Sequence, residues 1–373
     1  MQNNAGGKKI FVLFVEPMHY GFDLIREVYE KTDYEYRYAY CYASVTGKDN
    51  LELPNNSVIF HGDKKERERQ ICEELARFQP DFAVINGYVG VEQVAAIKYC
   101  KKKKIPFAIE SDTPLHIPSS KIKAYLKKWY LKRLLSSKYC YAFPGGTLQK
   151  ENFLYYGVPE NKCYIMPMSI SEARLLKAAE ALPEKEALKE KYALQGKKVF
   201  LFVGRLTEVK NVALLIDAFA TLQKQEKEMA LCLVGDGNLK ETLERQAASL
   251  GCENVLFAGY VGFPQNVEYY KMADVFVLPS LHEPWGLVVN EAMIMGLPVI
   301  ASSKVGCRKD LVVEGKNGFV FEDGNVEELT AVMKDILQKD VSALGEQSTA
   351  MMQKWNFEYY LQSFLGAIKD ATE

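Results

Sequence analysis

Two series of short apolar segments alternate along the chain with segments of helical spacing. The first series is KIFVLFV (9–15), YEYRYAYCY (34–42), DFAVIN (81–86), IPFAIE (105–110) and YCYAF (139–143), and the second is KVFLFVG (198–204), MALCLVG (229–235), NVLFAG (254–259), DVFVLPS (274–280), LPVIAS (297–302) and GFVFE (318–322). Runs as apolar as these predict strands buried on both faces, with helices packed against them. Strands that alternate with helices form parallel sheets joined by right-handed crossovers. The sequence therefore predicts an α/β protein with two doubly wound, Rossmann-like domains.

The length of the chain agrees with two domains, because 373 residues are too many for one ordinary hydrophobic core. We predict an N-terminal domain over 1–170 and a C-terminal domain over 197–354. Residues 171–196 include a stretch rich in Ala, Glu, Lys and Leu, which predicts linker helices. The last segment, 355–373, has helical spacing and is a candidate to pack back on the N-terminal domain.

The composition excludes several classes of protein. Lys and Arg number 47 against 48 Asp and Glu, so nucleic acid is not the expected partner. The apolar run near the start is too short for a signal peptide, and no segment is long enough to span a bilayer, which predicts a cytoplasmic protein. The eight cysteines include no C-x-x-C pair and no Cys/His cluster, so neither a zinc site nor a disulfide framework is expected.

The residues that follow each predicted strand are the candidates for a site, because open parallel sheets bind ligands beyond the carboxyl ends of their strands. Two such sheets that face each other would form a cleft. The segment GRLTEVK (204–210) follows the first strand of the second series and contains Gly204, Arg205 and Lys210. Two cations close to the start of a helix suit a diphosphate. The alternative is a solvated loop with two surface cations.

The segment LHEPWGLVVNEA (281–292) combines two carboxylates with the predicted start of a helix. A proline and a glycine break the chain after Glu283, and a helix is expected to begin near Leu287. Glu291 would then lie about one turn inside that helix. The backbone N–H groups at a helix start are suited to an anion, and here they belong to Gly286, Leu287 and Val288. The alternative is a helix-capping acid and a surface acid without a ligand.

These motifs occur in a fixed order along the second domain. They are Gly204-Arg205-x4-Lys210, Gly235-Asp236-Gly237, Gly259-Tyr260 and Glu283-x7-Glu291, the last within E-P-W-G-L-V-V-N-E. In this order, each after a predicted strand, they resemble the retaining nucleotide-sugar glycosyltransferases of family 4, whose two-domain architecture is called GT-B. The resemblance covers 198–325 closely. The first domain is similar only in its alternation of strands and helices.

The resemblance implies a role for each matching residue. Arg205 and Lys210 would clamp the donor diphosphate, Glu291 would bind the ribose, and Glu283 would contact the transferred sugar at the catalytic centre. The other implied donor-binding residues are Gly235, Gly286, Leu287 and Val288 near the diphosphate or sugar, and Gly259, Tyr260 and Val261 near the base. The implied reaction is departure of a nucleoside diphosphate with retention of anomeric configuration, and the cations and helix start would stabilise the leaving charge.

Three motifs are absent from the sequence. It has no Asp-x-Asp triplet, the usual metal-holding signature of the other large glycosyltransferase fold. Because two cations can neutralise a diphosphate, we expect neither a metal ion nor another cofactor. The chain also lacks a G-x-G-x-x-G motif after its first strand and a G-x-x-x-x-G-K-[ST] loop, which argues against NAD chemistry and against an ATPase.

Two strand ends of the first domain carry further candidates. Members of the family often have a glycine-bearing loop after the first strand that approaches the donor phosphate, and Gly21 is the glycine at that place in this sequence. Many members also place a histidine near the end of the strand that corresponds to IPFAIE. Here the candidates for that position at the reacting sugar are Asp112, favoured by its place, and His116, favoured by its residue type.

Residues 119–138 form a basic helical segment with an apolar stripe, and Ser119 or Ser120 is its expected cap. The stripe is Ile122, Tyr125, Leu126, Trp129 and Tyr130, with Leu134 near its end, and lysines flank it. One interpretation is peripheral attachment to an anionic membrane, which would give access to a lipid-linked acceptor. The other is a helix that packs its stripe on the core and exposes its lysines.

The function hypothesis from the sequence is transfer of a hexose-type sugar from a UDP- or GDP-sugar to a glycan or glycolipid, as in the synthesis of surface polysaccharides. The first alternative is another enzyme of the same fold, such as a nucleotide-sugar epimerase or a phosphorylase. The second is a non-catalytic partner subunit. That class is expected to lose its charged donor residues, whereas this chain keeps four of them, Arg205, Lys210, Glu283 and Glu291.

Overall fold

The computed structural model describes residues 7–43 and 52–372. Residues 1–6, 44–51 and 373 lie outside the described part, although the predicted segments 1–170 and 355–373 include them. The chain divides into two compact units. Unit 1 comprises the residues up to Ser169 together with those from Asn356 onward. Unit 2 is Ile170–Trp355.

Unit 1 contains a six-stranded parallel sheet with strand order β3-β2-β1-β4-β5-β6. Its strands are β1 (Lys9–Phe14), β2 (Glu35–Tyr40), β3 (Ser57–Ile59), β4 (Phe82–Asn86), β5 (Phe107–Ser111) and β6 (Cys140–Pro144). Its helices before residue 170 are α1 (His19–Glu27), α2 (Lys64–Phe78), α3 (Val91–Lys103), α4 (Lys121–Leu135) and α5 (Thr147–Tyr155).

Unit 2 contains a second six-stranded parallel sheet, with strand order β12-β11-β10-β7-β8-β9. Its strands are β7 (Lys198–Val203), β8 (Met229–Val234), β9 (Val255–Gly259), β10 (Val275–Leu278), β11 (Val299–Ser302) and β12 (Gly318–Phe321). Its helices are α6 (Glu172–Glu180), α7 (Lys185–Lys191), α8 (Val212–Leu222), α9 (Lys240–Ser249), α10 (Val267–Met272), α11 (Leu287–Ile294), α12 (Arg308–Leu311), α13 (Val326–Leu337) and α14 (Val341–Met352).

Most strands are apolar because they are covered on both faces of the sheet, whereas β2 also contains Glu35 and Arg37. In β1, Phe11 and Leu13 belong to one buried cluster, whereas Ile10, Val12 and Phe14 belong to another. This division follows the alternation of side chains along a strand. The prediction of two parallel α/β sheets is confirmed, and all eleven predicted strands form. The prediction missed β3, whose three residues are only half-buried and give no apolar run.

The C-terminal helix α15 (Phe357–Thr372) belongs to unit 1. Tyr360, Phe364 and Ile368, at helical spacing, lie in the same buried cluster as Ile10 and Val12 of β1. The stripe at i, i+4 and i+8 is therefore the face that packs on this side of the sheet.

Helices α6 and α7, which occupy the predicted linker segment 171–196, pack within unit 2. The Asp274 carboxylate, which follows α10, binds Lys185 Nζ at 2.7 Å, Lys189 Nζ at 3.0 Å and the Val199 N–H at 2.8 Å. Burial alone would raise the pKa of Asp274, but the two lysines and the Val199 N–H lower it below its usual value. This cluster therefore ties α7 to the edge of β7.

Helix α4 presents most of its apolar stripe to solvent. Ser120 caps the helix through its hydroxyl, which accepts from the Lys123 N–H at 3.5 Å. Leu131, Leu134 and Leu135 are buried on one side. The exposed large side chains on the opposite side are Ile122, Tyr125, Leu126, Trp129 and Tyr130, with exposed fractions of 74%, 70%, 56%, 56% and 45%. The first five residues of the stripe therefore do not pack on the core, whereas Leu134 near its end does. Among the described residues, no helix has the length and apolarity that crossing a bilayer requires.

We predict that Asp274→Ala destabilises unit 2 strongly. The substitution leaves the buried Lys189 ammonium with only the exposed Glu186 carboxylate, at 3.7 Å, and removing one partner of a buried pair costs about 3–5 kcal/mol. The matched control is Asp335→Ala, which breaks an exposed ion pair with Lys339 and should cost less than about 1 kcal/mol. Urea unfolding followed by circular dichroism measures both, and equal losses of stability would contradict the prediction.

Candidate functional site

The loops that follow β7, β8, β10 and β11 lie side by side at the carboxyl edge of the unit 2 sheet. Main-chain hydrogen bonds join them. The Leu206 N–H donates to the Asp236 carbonyl at 2.9 Å, and the Leu281 N–H donates to the Val209 carbonyl at 2.8 Å. The Glu283 N–H donates to the Lys304 carbonyl at 3.2 Å. The four loops therefore form one connected surface.

Two glycines permit the closest of these loop contacts. A Cβ at Gly235 would lie 1.8 Å from the Gly204 carbonyl oxygen, and one at Gly237 would lie 2.3 Å from the Leu206 carbonyl oxygen. Gly235 also has φ +145°. The resemblance places Gly235 near the diphosphate or sugar, and in the structure the backbone of this turn approaches the neighbouring β7 loop.

Lys210 and Glu283 form an ion pair across the ends of β7 and β10. Both side chains are mostly buried, and Ser280 Oγ lies 3.4 Å from a Glu283 carboxylate oxygen. Lys210 ends a short 3-10 helix, Glu208–Lys210, just before α8. Arg205 is exposed in the same loop. The edge therefore presents one paired cation and one exposed cation.

Helix α11 begins beside this ion pair. Gly286 is its N-cap with φ +100°, a conformation that other residues rarely adopt. A Cβ there would lie 3.1 Å from the Leu278 side chain and 3.3 Å from the Glu283 side chain. The N–H groups of Gly286, Leu287 and Val288 are at this end of the helix, where the first turn has no intrahelical acceptors. The start of α11 is thus next to the Glu283 carboxylate.

Trp285 fixes the segment between Glu283 and the helix. Its ring is buried, its Nε1 donates to Asn290 Oδ1 at 2.9 Å, and it stacks on Trp355 with ring centroids 5.5 Å apart. The Trp285 indole has both a hydrogen-bond partner and a stacking partner within unit 2. These two contacts therefore fix the turn that positions Glu283.

Glu291 lies half-buried one turn into α11. Tyr270 OH donates to its carboxylate at 2.5 Å, and Arg174 of α6 contributes a nearby positive charge. Burial raises the pKa of Glu291, while the Tyr270 hydroxyl and the Arg174 charge act in the opposite direction. Sequence reasoning missed Tyr270 and Arg174, because neither follows a strand.

The predicted base-side segment follows β9. Gly259 has φ +72°, and its carbonyl accepts from the Gly235 N–H at 2.8 Å. The Tyr260 side chain is 67% exposed, and Val261 is half-buried. The segment is therefore joined to the β8 loop by its main chain and presents an exposed aromatic ring.

Unit 1 has its own cavity of about 180 Å³ at the carboxyl edge of its sheet. Asp112 lines this cavity, whereas His116 is exposed outside it and its carbonyl accepts from Lys127 Nζ at 2.8 Å. Gly21 lies inside the first turn of α1 rather than in a loop, and Tyr20 lines the cavity. A Cβ at Gly21 would meet only the Phe14 ring, at 3.8 Å, so this position does not require glycine.

Glu110, at the end of β5, also lines the cavity and was not among the predicted site residues. Asn86 Nδ2 and Tyr360 OH each donate to its carboxylate at 2.8 Å. Burial raises the pKa of Glu110 to about 7, the two hydrogen bonds oppose that rise, and Asp112 adds to it. Asn86 ends β4, so the strand-end rule identifies it, but no local signal identifies Tyr360.

Comparisons with known proteins agree with this architecture. The structure of Anabaena HepE in complex with UDP has a TM-score of 0.77 and 17% sequence identity over 97% of this chain and 100% of that one. The two parallel sheets and this likeness identify the fold as GT-B, as predicted.

The sequence comparisons concern mainly unit 2. Residues 184–354, which make up most of that unit, match the model of glycosyl transferases group 1. Sulfoquinovosyl transferase of Arabidopsis thaliana is 27% identical over 72% of this chain and 52% of its own length. The GDP-mannose-dependent alpha-(1-6)-phosphatidylinositol monomannoside mannosyltransferase of Mycolicibacterium smegmatis is 32% identical over 38% of this chain and 39% of its own length. The chain thus spans about half or less of these curated relatives.

We predict that Gly235→Ala disrupts the loop surface. The added methyl group would overlap the Gly204 carbonyl oxygen and force the β7 and β8 loops apart, at a cost of about 3 kcal/mol or more. Gly251→Ala is the matched control, because Gly251 also has positive φ but nothing within 4 Å of the added methyl, so only about 1–2 kcal/mol is expected. Thermal unfolding of the two variants compares them, and a Gly235→Ala midpoint equal to that of Gly251→Ala would refute the steric argument.

Proposed function

We propose that this protein is a glycosyltransferase that moves a hexose-type sugar from a UDP- or GDP-sugar to a glycan or glycolipid acceptor. The reaction retains the anomeric configuration, and the proposed setting is surface polysaccharide synthesis in the cytoplasm, at the membrane face. The family match over residues 184–354 and the motifs at the unit 2 sheet edge support the proposal.

The observation that carries it is the joining of Lys210, Glu283 and the start of α11 at one sheet edge. A diphosphate needs cations and N–H donors at short range, and this edge supplies Lys210, the exposed Arg205 and the first amides of α11. As the bond to the sugar breaks, negative charge grows on the leaving diphosphate, where these groups stabilise it. Glu283 and Glu291 are the proposed partners of sugar and ribose hydroxyl groups.

The nucleotides named for similar proteins are the candidates for the donor of this protein. The HepE structure holds UDP, and the mycobacterial relative is named for GDP-mannose, so both nucleotides are candidates for this site. We also propose that the donor binds without a metal ion, because Lys210 and Arg205 supply the positive charge.

We predict that isothermal titration calorimetry detects binding of UDP or GDP, unchanged by EDTA. Arg205→Ala combined with Lys210→Ala should weaken that binding on the order of 100-fold, because two charge-assisted contacts to phosphate are lost. Lys224→Ala is the matched control, since Lys224 is exposed beyond the far end of α8 and should leave binding unchanged.

Two results would count against this proposal. One is that neither nucleotide binds to the folded protein. The other is undiminished binding in the double variant while Lys224→Ala behaves like the original chain.

The exposed stripe of α4 supports a membrane-bound acceptor. Five large apolar side chains of α4 are exposed to water on one side of the helix. Exposed apolar residues elsewhere in the described chain are less closely grouped than these five. The cations around the stripe are Lys121, Lys123, Lys128, Lys132 and Arg133, all exposed. An apolar stripe within basic residues suits the boundary between anionic headgroups and acyl chains. We therefore propose peripheral contact of α4 with an anionic membrane.

A short segment without helix or strand connects the unit 1 cavity to α4, which carries the stripe. Thr113 lines the cavity, and α4 begins at Lys121. Ile117 within that stretch is also exposed. A lipid-linked acceptor held at the stripe would therefore have its headgroup close to the carboxyl edge of the sheet.

We predict that the protein co-sediments with vesicles of phosphatidylcholine and phosphatidylglycerol at low salt, and less at high salt. Leu126→Ser combined with Trp129→Ser should weaken this binding at least about tenfold, because two apolar side chains are lost. The matched control is Leu176→Ser with Val313→Ser, which changes two exposed apolar residues of unit 2. Absence of binding to anionic vesicles at low salt would exclude the membrane contact.

A further inference from the structure

Glu110 occupies an unusual position for a carboxyl group. It ends a buried parallel strand and lines a cavity, yet no cation pairs with it among the described residues, and its recorded donors are the neutral groups of Asn86 and Tyr360. A structural carboxylate in an α/β core is usually balanced by Lys or Arg, as Asp274 is in unit 2. The stability of the sheet therefore does not explain the presence of Glu110.

The groups around Glu110 leave part of its hydrogen-bonding capacity for a ligand. A carboxylate offers about four acceptor positions, and Asn86 and Tyr360 occupy one on each oxygen. The other titratable groups that face it are Asp112 on the same strand end, Tyr20 of α1, and Tyr29. All of these except Asp112 are neutral near pH 7, because burial raises the pKa values of both tyrosines far above their usual range.

The cavity has the size and the polar groups for a hydroxyl-bearing molecule. Its volume of about 180 Å³ equals that of several water molecules, at about 30 Å³ for each in the liquid, and so suits a small polyol or one sugar ring. Glu110 and Asp112 supply acceptors, Ser111 and Tyr20 supply hydroxyl groups, and Gly87 allows the main chain to bend at φ +83°. No basic side chain of the described part of the chain lines the cavity, so an anionic ligand does not fit these groups.

We propose that Glu110 binds a hydroxyl group of the acceptor substrate, and that Tyr360 of the C-terminal helix is its positioning residue. The identification of the bound molecule as the acceptor substrate rests on the proposed function, whereas binding of a polyol in the cavity does not depend on it. In the ionised form Glu110 accepts the hydrogen bond of the hydroxyl group. In the protonated form, the O–H group takes the place of one acceptor position. The ionised form therefore binds the hydroxyl group better as a hydrogen-bond donor.

This difference gives the binding a pH dependence with a defined sign. Because the pKa of Glu110 is raised to about 7, the ionised form dominates only above neutral pH, and affinity for a polyol should rise as the pH passes through that value. Tyr360 stabilises the ionised form, so Tyr360→Phe should move the midpoint to higher pH. Asp112 destabilises it by charge repulsion, so Asp112→Asn should move the midpoint to lower pH.

Saturation-transfer NMR on the full chain tests the proposal, with glycerol, myo-inositol and methyl α-D-glucopyranoside as probes from about pH 5.5 to about pH 8.5. We expect at least one probe to bind more tightly above neutral pH. Glu110→Gln should weaken that binding about tenfold at high pH and remove its pH dependence, because the charged acceptor is gone. Tyr360→Phe and Asp112→Asn should shift the midpoint in opposite directions.

Glu73→Gln is the matched control, since Glu73 is an exposed glutamate of unit 1 far along α2. Circular dichroism establishes that each variant is folded, and Tyr360→Phe keeps the aromatic ring in the core if Glu110→Gln does not fold. The proposal is overturned if no probe binds at any pH, or if the pH dependence persists in Glu110→Gln. It is also overturned if Tyr360→Phe leaves the midpoint in place. Nucleotide titration of the same samples tests unit 2 separately, so failure of the two proposals can be distinguished.

Discussion

The ion pair between Lys210 and Glu283 depends on the parallel arrangement of the unit 2 sheet. β7 and β10 are neighbours in that sheet, so their carboxyl ends emerge side by side although Lys210 and Glu283 are 73 residues apart in sequence. The loops can approach closely because Gly235 and Gly237 carry no side chain. The N-terminus of α11 then adds its N–H groups to the same edge. One topological property thus gathers cations, carboxylates and backbone donors that no local segment contains together.

Much of this edge could be predicted from the sequence because it is locally encoded. A buried parallel strand leaves an apolar run, and the residues after it are at the ligand-binding edge whatever the rest of the fold does. Positions such as Lys210, Gly286 and Glu291 follow directly. The supporting contacts could not be predicted in this way. Lys189 meets Asp274 across 85 residues, so a helix that looked like a linker is in fact part of unit 2.

Unit 1 shows two other limits of sequence reasoning. The apolar stripe of α4 has the periodicity of a buried helix face, and only the packing of Leu131, Leu134 and Leu135 reveals that the other stripe residues are exposed. Glu110 receives its hydrogen bond from Tyr360, 250 residues away, on a helix that follows the whole of unit 2. That same return segment begins immediately after Trp355, which stacks on Trp285 beside Glu283.

Under the proposed function, the Lys210–Glu283 pair also sets the order of events at the donor site. Without a ligand, each charge neutralises the other in a mostly buried place, which limits the cost of desolvation. A diphosphate carries more negative charge than one carboxylate and has N–H donors of α11 beside it, so it competes effectively for Lys210. Under this proposal, a Lys210 that turned to phosphate would release the Glu283 carboxylate from the ion pair, and that carboxylate could then accept hydrogen bonds from sugar hydroxyl groups. A sugar without its diphosphate would instead meet a carboxylate that is still paired with Lys210.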